Sequence, residues 1–66
     1  MPKYPNISVQ LVGTDGNAFA LIGKVQSALR RGGVPAADVS AFVGDAMASQ
    51  SYDALLGFLM NTVDVL

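Results

Sequence analysis

The chain has 66 residues and contains neither cysteine nor histidine, which excludes zinc-finger sites, Cys/His nucleophiles and histidine-based acid–base catalysis. Hydrophobic residues make up 52% and charged residues only 14%, below the typical charged share of about 25%, so the composition excludes a disordered chain. The length predicts a single small domain over residues 1–66, and the excess of apolar residues predicts that some apolar side chains stay outside the core and serve a partner. No apolar run reaches the roughly 18 residues that a membrane span needs, so we expect a cytoplasmic protein.

The first predicted element is a β-strand. Apolar and polar residues alternate from Ile7 to Val12, after an extended lead-in over residues 1–6 that we expect to have little structure of its own. A lone strand leaves backbone groups unpaired on both sides, so it needs a mate. Within the chain only Thr62–Val65 qualifies; the alternative mate is the same strand of a second molecule.

The first helix has a marked start and end. A turn at Asp15–Gly16 leads into Asn17, which is well suited to cap a helix that begins at the next residue. Two arginines precede Gly32–Gly33, where positive charge suits the end of the helix dipole and glycine allows the left-handed stop. Gly23 costs about 1 kcal/mol in the helix interior, which either a close crossing by another helix or simple tolerance would explain.

The second predicted helix opens at Val34-Pro35, because proline suits the first helical turn. Its apolar stripe consists of Val39, Phe42, Val43, Ala46 and Met47. Asp38 and Asp45 lie away from this stripe. The pattern therefore predicts one packed face and a thin acidic face toward water.

Ser51 is a candidate cap for the third helix. The apolar stripe of this helix consists of Tyr52, Leu55, Leu56, Leu59 and Val63. Phe58 and Met60 fall on either side of the stripe, where they belong either to the core or to an exposed interaction surface. The whole order predicts a small α+β domain: an N-terminal strand, three helices and a short C-terminal strand that pairs with the first.

Charge is distributed unevenly along the chain. Residues 1–33 carry all four basic residues and one aspartate, whereas residues 34–66 carry four aspartates and no basic residue. A small domain can scatter so few charges unevenly for solubility alone. The alternative is an acidic half that fits a basic groove on a larger protein, including one built for nucleic acid. The candidate partner-binding residues are Asp38, Asp45, Asp53, Asp64, Phe58 and Met60.

Other chemistries lack the residues they need. The Gly13–Asn17 segment is too short and too acidic for a phosphate loop and has too few carboxylates for a calcium loop, so a turn and helix cap explain it better. All five carboxylates are well-spaced aspartates with no nearby nucleophile. We therefore expect no enzyme activity, no catalytic residue, no cofactor and no metal site.

Several segments carry a resemblance to known proteins. They are Val9–Gly13, Asp15–Phe19, Ala28–Pro35, Tyr52–Leu56 and Val63–Val65. Together they span most of the chain and resemble a family of small bacterial and mobile-element proteins, with Asp-Gly-Asn-Ala-Phe as the most specific part. The resemblance extends to an anti-CRISPR protein directed at type I-C interference complexes. The chain has Ala36 and Ala37 where that family carries glutamates, which weakens a DNA-mimic account.

The resemblance implies a phage-encoded, non-enzymatic inhibitor that docks on the basic DNA-entry surface of an interference complex and blocks target DNA. The acidic half makes this the leading hypothesis, with a host CRISPR effector complex as partner and no direct contact to nucleic acid or membrane. An alternative is a structural or adaptor homodimer formed through the Ile7–Val12 edge, although we favour a monomer. A ribbon-helix-helix-like DNA-binding protein is less favoured, because that strand contains no lysine or arginine.

Overall fold

The computed structural model describes residues 1–11, 13 and 16–66, so the predicted strand end at Val12 and the predicted turn residue Asp15 lie outside the described residues. The elements are β1 (Tyr4–Val9), α1 (Ala18–Arg31), α2 (Ala36–Met47), α3 (Tyr52–Thr62) and β2 (Val63–Val65). The predicted α+β architecture, one strand followed by three helices and a short final strand, is confirmed.

The two described strands pair with each other in parallel. Ser8 lies opposite Asp64 and Val9 opposite Val65, and the Leu66 N–H donates to the Val9 carbonyl at 2.9 Å. The predicted mate of the first strand is therefore the C-terminal strand of the same chain.

The first strand begins earlier than the alternation suggests. Tyr4 is already paired with β2, so the predicted lead-in over residues 1–6 is wrong from Tyr4 onward, and the strand ends at Val9. Pro5 has no N–H to give to a ladder, but the pairing is irregular between Tyr4 and Ser8, where a proline is tolerated.

The boundaries of α1 follow from its local sequence. The Phe19 N–H donates to Asn17 Oδ1 at 2.8 Å, and Gly33 has a φ of +84° just beyond the helix, in the left-handed region that glycine tolerates. Both predicted signals are confirmed. A Cβ on Gly23 would meet nothing within 4 Å, so no described helix crosses closely there.

The later helices also begin where the sequence predicts. Pro35 is the N-cap of α2, and Ser51 Oγ accepts a hydrogen bond from the Ala54 N–H at 3.0 Å at the start of α3. Within the described residues, no helix combines the length and apolar character needed to cross a bilayer.

The hydrophobic core lies between the inner face of the sheet and the three helices. Its buried residues are Val9, Leu21, Ile22, Val25, Ala28, Leu29, Val39, Phe42, Ala46, Leu55, Leu59 and Val63. Thr62 is a buried polar residue, and its hydroxyl donates to the Phe58 carbonyl at 2.8 Å. Since this bond satisfies the Thr62 hydroxyl, the end of α3 can pack against the core without an unpaired polar group.

Candidate protein-binding site

Two of the predicted aspartates lie on the same side of α2. Asp38 and Asp45 are seven residues apart, which is close to two helical turns and places them about 10 Å apart along the axis. Both residues are exposed, and Ala41, which is also exposed, lies between them. The short Ala41 side chain leaves the space between the two carboxylates open.

This side of α2 borders a cleft of about 100 Å³, which we call the acidic cleft. It is lined by Lys3, Tyr4, Asp38, Ala41, Phe42, Asp45, Phe58 and Thr62. The residues come from the start of the chain, from α2 and from the second half of α3. The cleft therefore forms only when these three segments pack together.

The apolar part of the acidic cleft is built from two aromatic rings. The Phe42 and Phe58 rings are stacked, with centroids 5.6 Å apart and planes 15° from parallel. Phe42 is buried, whereas Phe58 packs against the core and remains partly exposed. Phe58 thus contributes to the core and also lines a surface cleft.

Charge in the acidic cleft is predominantly negative. Lys3 is the one basic residue among those lining it, and its Nζ lies 5.6 Å from the centroid of the Tyr4 ring. Within the described part of the chain, neither Asp38 nor Asp45 has an ion-pair partner. The two carboxylates therefore face solvent without an ion pair to a described residue, although Lys3 lines the same cleft.

The other predicted site residues lie elsewhere. Asp53 and Met60 are seven residues apart on the outer side of α3, away from Phe58, and Met60 is 60% exposed. Asp64 is exposed on β2 and accepts a hydrogen bond from the Ser8 hydroxyl at 3.2 Å. The structure therefore brings Asp38, Asp45 and Phe58 together, but it does not bring the remaining three to the same cleft.

A second surface depression, the apolar groove, lies where the start of α1 meets the connection between α2 and α3. Its residues are Ala18, Phe19, Ile22, Ala46, Met47, Ser49, Gln50, Ser51, Tyr52 and Leu55. The side chains of Phe19, Met47 and Tyr52 are 68%, 56% and 45% exposed. The sequence stripes predicted Met47 and Tyr52 to be packed, and this is wrong because they are the last residue of α2 and the first of α3, beyond the helical turns that cover the core.

Sequence reasoning missed Lys3 and Tyr4 as members of the acidic cleft. Their segment was predicted to be an extended lead-in, whereas Tyr4 is held by pairing with Val63 and the Lys3 N–H donates to the Asn61 carbonyl at 2.8 Å. No local pattern signals these contacts. They depend on a strand partner almost at the other end of the chain.

Comparison with known protein families, with curated proteins and with solved structures gives no match to this chain. In the part of the chain that the structure describes, no group of three or more acidic, histidine or cysteine side chains is arranged to hold a metal ion. The acidic cleft is therefore interpreted from the geometry and charge of the described residues.

Proposed function

We propose that the protein is a non-enzymatic inhibitor that binds another protein, with the acidic cleft docked on a basic surface of that partner. The observation that carries this proposal is the placement of Asp38 and Asp45. Both are exposed on one side of α2, beside a cleft with an aromatic wall, and neither has an ion-pair partner among the described residues.

Charge supports a basic partner. Residues 34–66 contain no lysine or arginine, so α2 and α3 present only negative formal charge around the cleft, apart from Lys3 at its end. Complementary charge across an interface speeds encounter and suppresses wrong partners more than it adds raw affinity. The cleft would thus select a basic docking surface, while the neighbouring apolar side chains contribute burial.

The resemblance described above supports a particular partner, a type I-C CRISPR interference complex whose DNA-entry surface must be basic. The inhibitor would then be encoded by a phage or mobile element and act in the cytoplasm of the bacterial host, where such a complex works. By occupying the entry surface it would block target DNA without contacting nucleic acid itself.

The charge density favours a local block over extensive mimicry of DNA. Duplex DNA carries one negative charge per about 1.7 Å of axis, so a 10 Å stretch carries about six charges. The same length of α2 carries two, Asp38 and Asp45. Inhibition would therefore come from a small body seated on part of the DNA path.

The test is binding of the protein to a purified type I-C interference complex, followed by target-DNA binding. We expect Asp38→Lys combined with Asp45→Lys to weaken capture by about tenfold or more, which corresponds to about 1.4 kcal/mol. The matched control is Asp53→Lys combined with Asp64→Lys, which changes net charge equally outside the cleft. Unchanged capture by the cleft variant, or equal loss in both variants, would reject docking through the acidic cleft.

A second candidate is a structural or adaptor homodimer joined through β1. The observation that favours it is that the described sheet has only two strands, so one edge of β1 has no strand partner within the described residues. The Val9 carbonyl accepts the Leu66 N–H, so the backbone groups of Val9 point toward β2. Backbone groups of successive residues in a strand point to opposite edges, so those of Ser8 point to the open edge. A second copy of β1 could pair with these unpaired backbone groups and extend the sheet.

Light scattering after size exclusion distinguishes this candidate. Ser8→Pro removes the N–H on the open edge and leaves the Val9–Leu66 bond in place, so a dimer built on this edge should dissociate. Ser8→Ala is the control, because it keeps the N–H and removes only the hydroxyl. A wild-type protein that stays monomeric at all concentrations would contradict the homodimer directly.

A further inference from the structure

The acidic cleft combines two kinds of lining side chain, acidic and aromatic, on a small surface. One side carries the carboxylates of Asp38 and Asp45, and the other carries the partly exposed Phe58 ring, stacked on buried Phe42. Ala41 lies between the carboxylates and fills little of the space. A bound group therefore meets negative charge on one side and an aromatic surface on the other.

We propose that the acidic cleft takes an arginine side chain from the surface of the partner protein, a proposal that rests on the proposed function. The aliphatic stem of arginine would pack on Ala41 and Phe58, and the guanidinium would donate hydrogen bonds to Asp38 or Asp45. Arginine suits this arrangement because its planar, weakly hydrated fork stacks on aromatic rings and pairs with carboxylates at the same time.

Lysine fits the same cleft less well. Its ammonium group is a compact and strongly hydrated point charge, so it gains less from stacking beside Phe58 and loses more hydration on entering a small cleft. The cleft measures about 100 Å³, which suits the end of one side chain. The inferred contact is thus a single arginine anchor, the residue type often found at energetic centres of interfaces.

Lys3 sets the strength of this anchor. It lines the acidic cleft, with its Nζ over the Tyr4 ring at 5.6 Å, so its positive charge repels an incoming guanidinium. Replacing Lys3 by methionine keeps an unbranched apolar stem and removes the charge. We expect Lys3→Met to tighten arginine binding by about twofold to fivefold.

The experiment is a titration of the isolated protein followed by backbone-amide NMR. The probes are acetyl-Gly-Arg-Gly-amide, the same peptide with lysine, and the same peptide with citrulline, which keeps the shape of arginine but has no charge. We expect saturable shifts at Ala41, Phe58 and Thr62 with the arginine peptide, weaker binding by about threefold or more with lysine, and no saturation with citrulline.

Variants locate the interaction. Asp38→Asn combined with Asp45→Asn should weaken binding of the arginine peptide by about fivefold or more, whereas Asp53→Asn combined with Asp64→Asn should leave it unchanged. Phe58→Leu keeps apolar volume without an aromatic face and should weaken binding by about twofold to fivefold. Chemical-shift dispersion of the free variants verifies that each one is folded.

Three results would overturn the arginine anchor: no saturable shift with the arginine peptide, equal binding of lysine or citrulline, or shifts centred outside the acidic cleft. The outcome is separable from that of the proposed function. Capture of the interference complex without binding of the arginine peptide would reject only the anchor. Binding of the peptide by a protein that does not capture the complex would reject only the proposed inhibitor role.

Discussion

The acidic cleft and the apolar groove are lined by different residues of α2, and they differ in what supports them. The acidic cleft has a buried ring, Phe42, beneath its surface. The apolar groove has the smaller buried side chains of Ile22, Ala46 and Leu55 beneath it, and it exposes apolar side chains at helix ends, namely Phe19, Met47 and Tyr52. Side chains at helix ends have fewer packed neighbours to hold their rotamers. The two surfaces therefore differ in what they expose: carboxylates at the acidic cleft and apolar side chains at the apolar groove.

The two surfaces also differ in what they can distinguish. An apolar groove accepts many apolar partners, because burial of apolar area is non-directional. A cleft with two carboxylates rejects acidic partners and requires a basic group of suitable shape. Specific recognition by this protein is therefore expected at the acidic cleft.

The largest expected effect tests the difference in support. Phe42→Ala removes a buried ring from under the acidic cleft and should lower the free energy of unfolding by about 3–5 kcal/mol. Phe19→Ala in the apolar groove removes a ring that is 68% exposed and should change the free energy of unfolding by less than about 0.5 kcal/mol. Urea denaturation measures the free energy of unfolding of both variants. Similar losses would contradict the view that Phe42 supports its surface and Phe19 does not.

A smaller effect is expected at the rim of the apolar groove. Ser51→Ala removes the hydroxyl that accepts from the Ala54 N–H and should cost about 1 kcal/mol of stability. Ser49→Ala is the control, since the Ser49 hydroxyl has no hydrogen bond to a described residue. Thermal unfolding of the two variants should differ, and an equal melting temperature would mean that the cap does not hold the start of α3.

The smallest effect concerns the outer surface of α2, between the two depressions. A Cβ on Gly44 would meet nothing within 4 Å, so Gly44→Ala should stabilise the protein by about 0.5–1 kcal/mol and leave partner capture unchanged. Loss of capture by Gly44→Ala would place the contact on the outer surface of α2 instead of in the acidic cleft.

The sequence predicts those parts of the fold that depend on neighbouring residues. Asn17 and Ser51 cap their helices as expected, and glycine ends α1, because these interactions span only a few positions. The mate of β1 could also be predicted, since few other residues in the chain are β-branched and alternate. The start of β1 could not be predicted, because Tyr4 is held by pairing with Val63, which lies far along the sequence.

The candidate site was predictable to a similar degree. The spacing of Asp38 and Asp45 already places them on one side of a helix, away from its apolar stripe. That Phe58 meets this side of α2, whereas Asp53 and Met60 do not, depends on how α2 and α3 rotate against each other. A helical pattern gives the faces of each helix but not which faces meet.

The parallel pairing of β1 with β2 has a consequence for biosynthesis. Ser8 and Asp64 are bonded although they are 56 residues apart, so β1 must wait until this intervening stretch has been translated before its partner exists. Until β2 leaves the ribosomal tunnel, Val9 lacks its neighbour Val65 and the acidic cleft lacks the anchoring of Tyr4. We therefore expect the nascent chain to become competent for partner capture only after β2 has left the tunnel and paired with β1.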